Sequence, residues 1–575
     1  MPSRPQTLAA LRDALRASGA DALIVPHADA YQGTFLPASE ERLAWLTGFT
    51  GSAGCAVITA DAAAVFSDGR YALQLKREMD SALFAALDIT KVRPAAWVAE
   101  QAGHGARLAY APWLHTLKDV RAWEAGGLTP VPLGDNPVDM LWTDRPSPHA
   151  APIYAFPVAI AGRSAADKIA GIVEEIRQKG PVAALIAAPE SVCWLLNIRG
   201  GDMPYLPVPR ARALVHADGS VDMFVEDRAA RGPLPAIPAR VHDAQGLSAA
   251  IRSLQGPLMV DPDRAPVAIV PLAKEVRESP DPCALPRACK TPEELAAIRD
   301  AHRRDGLALV RFGAWLAREG AGIISSEVAL AHALERFRAA DPRYTGPSFP
   351  TICGFNANGA VVHYRAREAA DAVVRAPGLL LLDSGGQYPG GTTDVTRTIA
   401  IGPPTAEQRE RYTLVLKAHI SLAAQRFPVG TCGVQLDAIT RAPLWAAGLD
   451  YAHGTGHGVG CALCVHEGPV SLSTRDAGWP LQPGMVLSNE PGVYEAGAYG
   501  IRIENLMAVV ERAPGWLGFE VLTLAPMDRA LVVPEMLEAR ELTWLNGYHK
   551  TVFSLLNKGL EIEDSSWLSE VTAPL

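Results

Sequence analysis

The sequence predicts a protein of mixed α/β and α+β class, two related α/β modules followed by a larger third domain, and three observations carry that expectation. A helix-then-strand opening occurs twice in the first half of the chain. Proline-rich stretches separate the parts, and from Lys290 onward strand-like runs with glycine-rich turns hold most of the chemically suggestive residues. A length of 575 residues suggests three or four domains at about 150 residues each. The pattern favours three, at residues 1–150, 151–285 and 290–545, with a C-terminal helical extension over 546–575.

The first opening runs from Thr7 to Ala17, where Leu8, Leu11 and Leu15 fall at helical spacing, Gly19 ends the helix, and Ala22 to Val25 form a buried strand. In the second, Ser164 with Asp167 resembles a capping box, Ile169, Ile172, Val173 and Ile176 make the apolar stripe, Gly180 stops it, and Val182 to Ala187 is the strand. The echo continues: Trp45-Leu46-Thr47-Gly48 and Ala56 to Asp61 are matched by Trp194-Leu195-Leu196-Asn197 and Ala213 to Asp218. Asp144 to Pro157 and Ser279 to Lys290 read as linkers. Next, Thr291-Pro292-Glu293-Glu294 combines an N-cap, a first-turn proline and a capping-box acid, which starts a long helix. The tail from Leu545 reads as short helices on the outside of the catalytic domain.

Composition narrows the function. Hydrophobic residues are 49% and charged residues 20%, which excludes wholesale disorder. With 53 Lys plus Arg against 62 Asp plus Glu, a net charge of -9 and no long basic run, a nucleic-acid partner is not expected. The N-terminus lacks the apolar core of a secretory signal, and no apolar run reaches the ~18 residues of a membrane span. The eight cysteines are sparse, so they read as reduced thiols in a cytoplasm.

The chemistry concentrates in four segments. Leu379 to Asp383 is a buried strand ending in a carboxylate, and Thr392 to Thr398 is its return after Pro389-Gly390-Gly391. With a two-residue loop, Tyr388 faces Gly391 and Asp394 faces Gly385, which puts Asp383 and Asp394 on one face, diagonally ~7 Å apart. A three-residue loop would turn one of them away unless a glycine makes a bulge. His453-Gly454-Thr455-Gly456-His457-Gly458 alternates imidazoles with glycines that let backbone approach closely. Glu490 ends one strand, and Glu504 sits in an alternating one. Two Asp, two Glu and one or two His are too acidic a set to bury without cations. Two divalent metals resolve the conflict, with Mn²⁺, Co²⁺ or Mg²⁺ favoured by the oxygen-rich donors and Zn²⁺ allowed by affinity. A rival zinc pattern, Cys461-x-x-Cys464 with His466, lacks a second closely spaced pair.

These motifs resemble the pita-bread metallopeptidases, and within them the long, three-domain cytosolic Xaa-Pro aminopeptidases. The resemblance rests on Leu382-Asp383-Ser384-Gly385, Thr393-Asp394-Val395-Thr396-Arg397, the glycine-histidine loop, Glu490-Pro491-Gly492 and Ile501-Arg502-Ile503-Glu504-Asn505. Asn358 to Tyr364, Val465-His466-Glu467-Gly468-Pro469 and Gly48 to Gly54 extend it over essentially the whole chain.

It implies two creatinase-like N-terminal domains and a C-terminal pita-bread catalytic domain. It also implies that Asp383, Asp394, His457, Glu490 and Glu504 ligate two divalent ions per subunit, Mn²⁺ before Co²⁺ or Zn²⁺, with Asp394 and Glu504 bridging. His363, His453 and His466 would line the substrate site, Glu490, His363 and His466 would act in catalysis, and Arg502 and Tyr494 would orient the ligands. The implied reaction is removal of the first residue from peptides with proline second, by a hydroxide held between the metals. A homodimer in the cytoplasm, without nucleic-acid or membrane partners, completes the expectation. The alternatives are a prolidase-type dipeptidase or creatinase of the same fold, or a non-catalytic binding protein that would be expected to have lost ligands. Cys461, Cys464 and the stretch Phe355 to Gly359 depart from the family pattern.

Overall fold

The computed structural model describes residues 3–319, 325–366 and 372–575, which form two compact units, Met1–Val158 with Arg163–Ala284 and Ala159–Gly162 with Leu285–Leu575. In the first unit, α1 (Arg4–Ser18) buries Leu8, Leu11 and Leu15 and ends at Gly19, whose φ of 65° is the left-handed conformation a glycine adopts without strain. Then come β1 (Ala22–Pro26), β2 (Cys55–Thr59), β3 (Ala63–Ser67), β4 (Ala85–Asp88), β5 (Arg107–Tyr110) and β6 (Thr129–Pro132), in a six-stranded sheet ordered β4-β3-β2-β1-β5-β6.

α2 (Ala165–Lys179) restarts the pattern: the Ser164 side chain accepts from the Asp167 amide, and Gly180 closes the helix with φ 86°. It leads into β7 (Ala183–Ile186), β8 (Ala211–His216), β9 (Val221–Val225), β10 (Arg240–Asp243), β11 (Leu258–Val260) and β12 (Val276–Glu278), ordered β10-β9-β8-β7-β11-β12. Strand order agrees position by position with the first sheet. So does the mixture of directions, with β1–β2 and β7–β8 antiparallel, and β1–β5 and β7–β11 parallel. The echo in sequence therefore reflects one topology used twice, with the matched runs forming β2 and β8.

In the second unit, Thr291 and Glu294 cap α3 (Pro292–Glu319) reciprocally, amide to side chain at 2.9 and 3.1 Å. The strands that matter to the site are β13 (Ile352–Phe355), β14 (Gly378–Ser384), β15 (Gly386–Tyr388), β16 (Gly391–Thr392), β17 (Val395–Ile401), β18 (Gly456–His457), β19 (Val486–Asn489), β20 (Gly492–Glu495), β21 (Tyr499–Arg502), β22 (Asn505–Ala513) and β23 (Trp516–Val521). β14 lies between β13 and β17, and β22 between β19 and β23.

α4 (Ala406–Ala423) packs behind them with Tyr412, Val415, Leu416 and Leu422 sealed from solvent, and α5 (Gly433–Trp445) packs beside it. The tail is helical, but it is core rather than cladding. α6 (Ala539–Leu556) begins earlier than expected, and with α7 (Ile562–Val571) it contributes Leu545, Val552, Leu556 and Leu568, all at 0% exposure, to the same apolar cluster as α4. No helix among the described residues is long and apolar enough to cross a membrane.

Candidate metal centre

The hairpin has the two-residue turn: Tyr388 pairs with Gly391 and Gln387 with Thr392, and the ladder resumes with Ser384 opposite Val395 and Asp383 opposite Thr396. That register places Asp394 opposite Gly385, on the Asp383 face and diagonal to it. Close packing makes glycine necessary at the bend. A Cβ on Gly385 would lie 1.9 Å from the Thr393 carbonyl oxygen.

The glycine-histidine loop is held along β19. The amide of His457 donates to Ser488 Oγ (2.9 Å), that of Val459 to the Val486 carbonyl (2.9 Å) and that of Glu490 to the Thr455 carbonyl (2.8 Å). Gly456 is required there, because a Cβ would fall 2.0 Å from the Ser488 carbonyl oxygen. This pairing brings His457 Nε2 to 3.4 Å from Glu490 Oε1 and 3.6 Å from Asp394 Oδ2.

Glu504 departs from expectation. It stands in the step between β21 and β22, where the chain passes from one sheet to another, rather than inside an alternating strand. Its amide donates to the Thr396 carbonyl (3.1 Å), and Thr396 Oγ1 donates to its carboxylate (2.8 Å). Asp394, His457 and Glu504 consequently present ligand atoms that all lie within 4.8 Å of one another.

The electrostatics are those of a site built for cations. Burial first, then repulsion from Glu504, Asp383 and Glu490, holds the Asp394 carboxyl well above the usual range. Glu504 is held up in the same way by burial and by Glu490 and Asp383. Asp383 is also raised by burial, although Arg502 Nη2 donates to its Oδ2 at 2.5 Å, and its Oδ1 is buried with no hydrogen-bond partner among the described residues. Burial pushes His457 down to about 4. The neutral ring donates from Nδ1 to the Gly458 carbonyl (3.0 Å), leaving the Nε2 lone pair facing the carboxylates. Four carboxylates, one neutral imidazole and one guanidinium leave a deficit of positive charge that divalent ions fit.

Around this group, Arg502 donates also to Tyr494 Oη (2.8 Å) and Thr396 Oγ1 (3.1 Å). Tyr494 Oη lies 2.8 Å from His453 Nε2, and His453 Nδ1 lies 2.8 Å from the Gly454 carbonyl. With Nδ1 as the donor, Tyr494 donates to His453, so a chain of hydrogen bonds runs from that imidazole to Asp383. His466 is exposed and stands edge-on to His457, with ring centroids 4.4 Å apart. His363 is half-buried, next to Tyr364, whose hydroxyl donates to the buried Glu327 at 2.6 Å. Cys461 is also buried, its thiol donating to the Gly390 carbonyl. The ligand atoms that cluster belong to Asp394, His457 and Glu504, not to the cysteines.

Two positioning features went unforeseen. Thr396 ties Asp383's partner strand to Glu504 and Arg502; the hairpin register sets it opposite Asp383, but nothing in the linear pattern signals its two long-range bonds. Arg441 donates to Asp437 and to the carbonyls of Tyr451 and His453, while Asp437 accepts from Thr455, which clamps the approach to the glycine loop. Its only sequence signal is the i,i+4 spacing of Asp437 and Arg441.

A hairpin, a histidine loop and two strand ends converging on one acidic cluster define a metallohydrolase site. The family model of metallopeptidase family M24 matches residues 296–511, and models of the creatinase/prolidase N-terminal domain match 8–135 and 144–294. A model of the C-terminal region of peptidase M24 matches 515–575.

The chain belongs to metallopeptidase family M24. Its full-length likeness within that family is to the aminopeptidase P proteins. A probable Xaa-Pro aminopeptidase P of Neosartorya fischeri is 36% identical over 99% of this chain and 92% of its own. Aminopeptidase P2 of Arabidopsis thaliana is 37% identical over 97% and 86%. The crystal structure of an X-prolyl aminopeptidase from Caenorhabditis elegans, described as a cytosolic enzyme with a di-nuclear active site, superposes with a TM-score of 0.94 at 31% identity and full coverage of both chains. A Xaa-Pro dipeptidase from Bacillus anthracis shares the fold over 64% of this chain, at 24% identity and a TM-score of 0.53.

Proposed function

We propose that the chain is a dinuclear metal-dependent aminopeptidase that removes the first residue from peptides with proline in second position. One observation carries this: a group of four carboxylates, three buried and Glu490 half-buried, around a neutral imidazole and short of positive charge, in a chain that matches aminopeptidase P relatives from end to end. Asp383, Asp394, His457, Glu490 and Glu504 would hold the two ions. The oxygen-rich donor set favours Mn²⁺. Divalent ions bound there supply a nucleophile at neutral pH and polarise the reacting carbonyl.

The remaining work falls to the chain's own side chains. Glu490, half-buried and accepting from Ser488 Oγ at 3.2 Å, moves the proton from the nucleophile toward the leaving nitrogen. His363 and His466 donate to the developing oxyanion and the proline nitrogen. His453 borders the proline subsite. Arg502 and Tyr494 fix Asp383 and His453 relative to one another, so the substrate amine meets a preset carboxylate.

The two N-terminal modules, at 1–150 and 151–285, serve substrate access and assembly, with the catalytic domain at 290–545 and the helical tail at 546–575. A cytoplasmic location fits the description of the C. elegans relative as cytosolic, and a homodimer is inferred from the family resemblance alone. The test is hydrolysis of Xaa-Pro tripeptides against Xaa-Pro dipeptides by metal-reconstituted enzyme. Preference for the longer peptide, lost in Glu490→Ala, supports the assignment; faster cleavage of the dipeptide would make the chain a dipeptidase instead.

A further inference from the structure

The hairpin that carries Asp383 and Asp394 has a second face. Leu382, Ser384, Val395 and Arg397 alternate with the acidic residues along β14 and β17, and all four line a cavity of about 440 Å³ behind the metal site. Leu309, Phe312 and Leu316 of α3 form one apolar wall, with Trp567 and Val571 of α7 opposite. The two helices meet closely at one point, where a Cβ on Gly313 would lie 2.5 Å from the Trp567 ring. The volume is that of a small-molecule site.

Two of its polar side chains have an atom without a partner among the described residues. Ser384 is 1% exposed, and its Oγ has no hydrogen-bond partner. Arg529 donates from its two terminal nitrogens to the carbonyls of Glu570 and Pro574, while its buried Nε has no partner. The buried guanidinium of Arg397 donates only to neutral oxygens, those of Thr396, Glu504, Ala525 and Pro526 on the backbone, Asn505 Oδ1 and Tyr548 Oη. Among the described residues, no carboxylate oxygen comes within 4.0 Å of either guanidinium. Of the wall's two acids, Asp528 is occupied by the amides of Ala400 and Ala530, and Glu570 is exposed. A buried guanidinium without a counter-anion is costly, and an orphaned hydroxyl adds to that cost.

We propose that this cavity is a binding site for a small amphiphilic monocarboxylate, its carboxylate meeting Arg529 and Ser384 near the Arg397 charge and its apolar body lying between α3 and α7. Medium-chain fatty acids and arylalkanoates have that chemistry. Because Ser384 follows Asp383 and Val395 follows Asp394, an occupant bears on the backbone of both acidic residues and changes turnover without meeting substrate.

The probe is octanoate, titrated calorimetrically into the metal-loaded full chain, with 1-octanol and acetate alongside. Octanoate binds once per chain, equally well in the presence of saturating peptide substrate, and at least about tenfold tighter than octanol, the loss of one charge-assisted hydrogen bond. Val571→Trp, which fills the cavity, abolishes binding. Arg529→Gln, at a partly exposed position that folding tolerates, weakens it by about the same tenfold while KM for peptide is unchanged. Displacement of octanoate by the peptide would place it in the metal site and overturn the proposal. Equal affinities for octanoate and octanol, or unchanged affinity in Arg529→Gln, would overturn the carboxylate recognition.

Discussion

Two sets of buried carboxylates lie in the same unit and are treated in opposite ways. Glu467 has a side chain 1% exposed, yet Lys290 Nζ lies 2.6 Å and Arg287 Nε 3.2 Å from it. Asp305 is similarly met by Arg338 at 2.8 Å. Asp394 and Glu504 are equally enclosed, but among the described residues neither has a lysine or arginine within 4.0 Å, and Asp394's one ion-pair neighbour is His457, pushed down to about 4 by burial. Glu467 and Asp305 each receive a cation from the chain itself, whereas Asp394 and Glu504, on the proposed assignment, leave that place to an ion from outside; Asp383, also a proposed ligand, lies between the two cases, since Arg502 meets it.

The contrast breaks most completely at the ligands. His457→Ala removes the imidazole donor of the cluster and should lower kcat/KM by at least about 10³-fold, with circular dichroism unchanged. A variant with more than a tenth of the parent activity would take His457 out of the site. Glu467→Gln acts on the other set. It strands Lys290 as a buried cation and should cost about 3–5 kcal/mol of stability, read as a lowered urea midpoint, while metal content measured on the folded protein stays at the parent value.

Removing the metal sharpens the difference through pH. The folded, metal-free carboxyls of Asp394 and Glu504 titrate above their unfolded values, so the stability they lend is complete below about pH 4 and is lost as pH rises through the folded values. Ions require the deprotonated form, so the gap in Tm between loaded and chelated protein should widen from pH 5 to pH 8. A constant gap would show that crowding of negative charge does not govern the site. The smallest effect is expected of Tyr494→Phe, which cuts the link between His453 and Arg502. It should lower kcat/KM about five- to tenfold, the worth of one buried hydrogen bond, with metal affinity retained.

Much of this was legible before any coordinates. The apolar run Leu379 to Leu382 ending in Asp383 and the Pro389-Gly390 turn set a hairpin whose register matches the shorter of the two loops considered. The doubled helix–strand opening anticipated two sheets of identical order. Less visible were contacts between segments far apart in sequence. Glu504 read as a residue of an alternating strand, yet it sits where the chain leaves one sheet for another, and only its bonds to Thr396 explain why it points at the hairpin. The tail read as an outer layer because Leu545, Leu556 and Leu568 are too widely spaced to mark a core face by themselves; packing against α4 made them one.

The sequence by itself determined the inventory and the local geometry: which acids and imidazoles are present, which strand ends carry them, and which glycines allow the backbone to close up. Periodicity and turn chemistry act over a few residues, so they survive in the linear pattern. The tertiary structure alone decided which carboxylates receive cations, that Arg502 links Asp383 to Tyr494, and that the reverse face of the hairpin opens on a cavity lined by two arginines that no carboxylate among the described residues approaches within 4.0 Å. Those outcomes depend on partners brought together across a hundred residues or more, such as Asp383 with Arg502, and no spacing rule records them because burial and charge pairing are set by the packed whole.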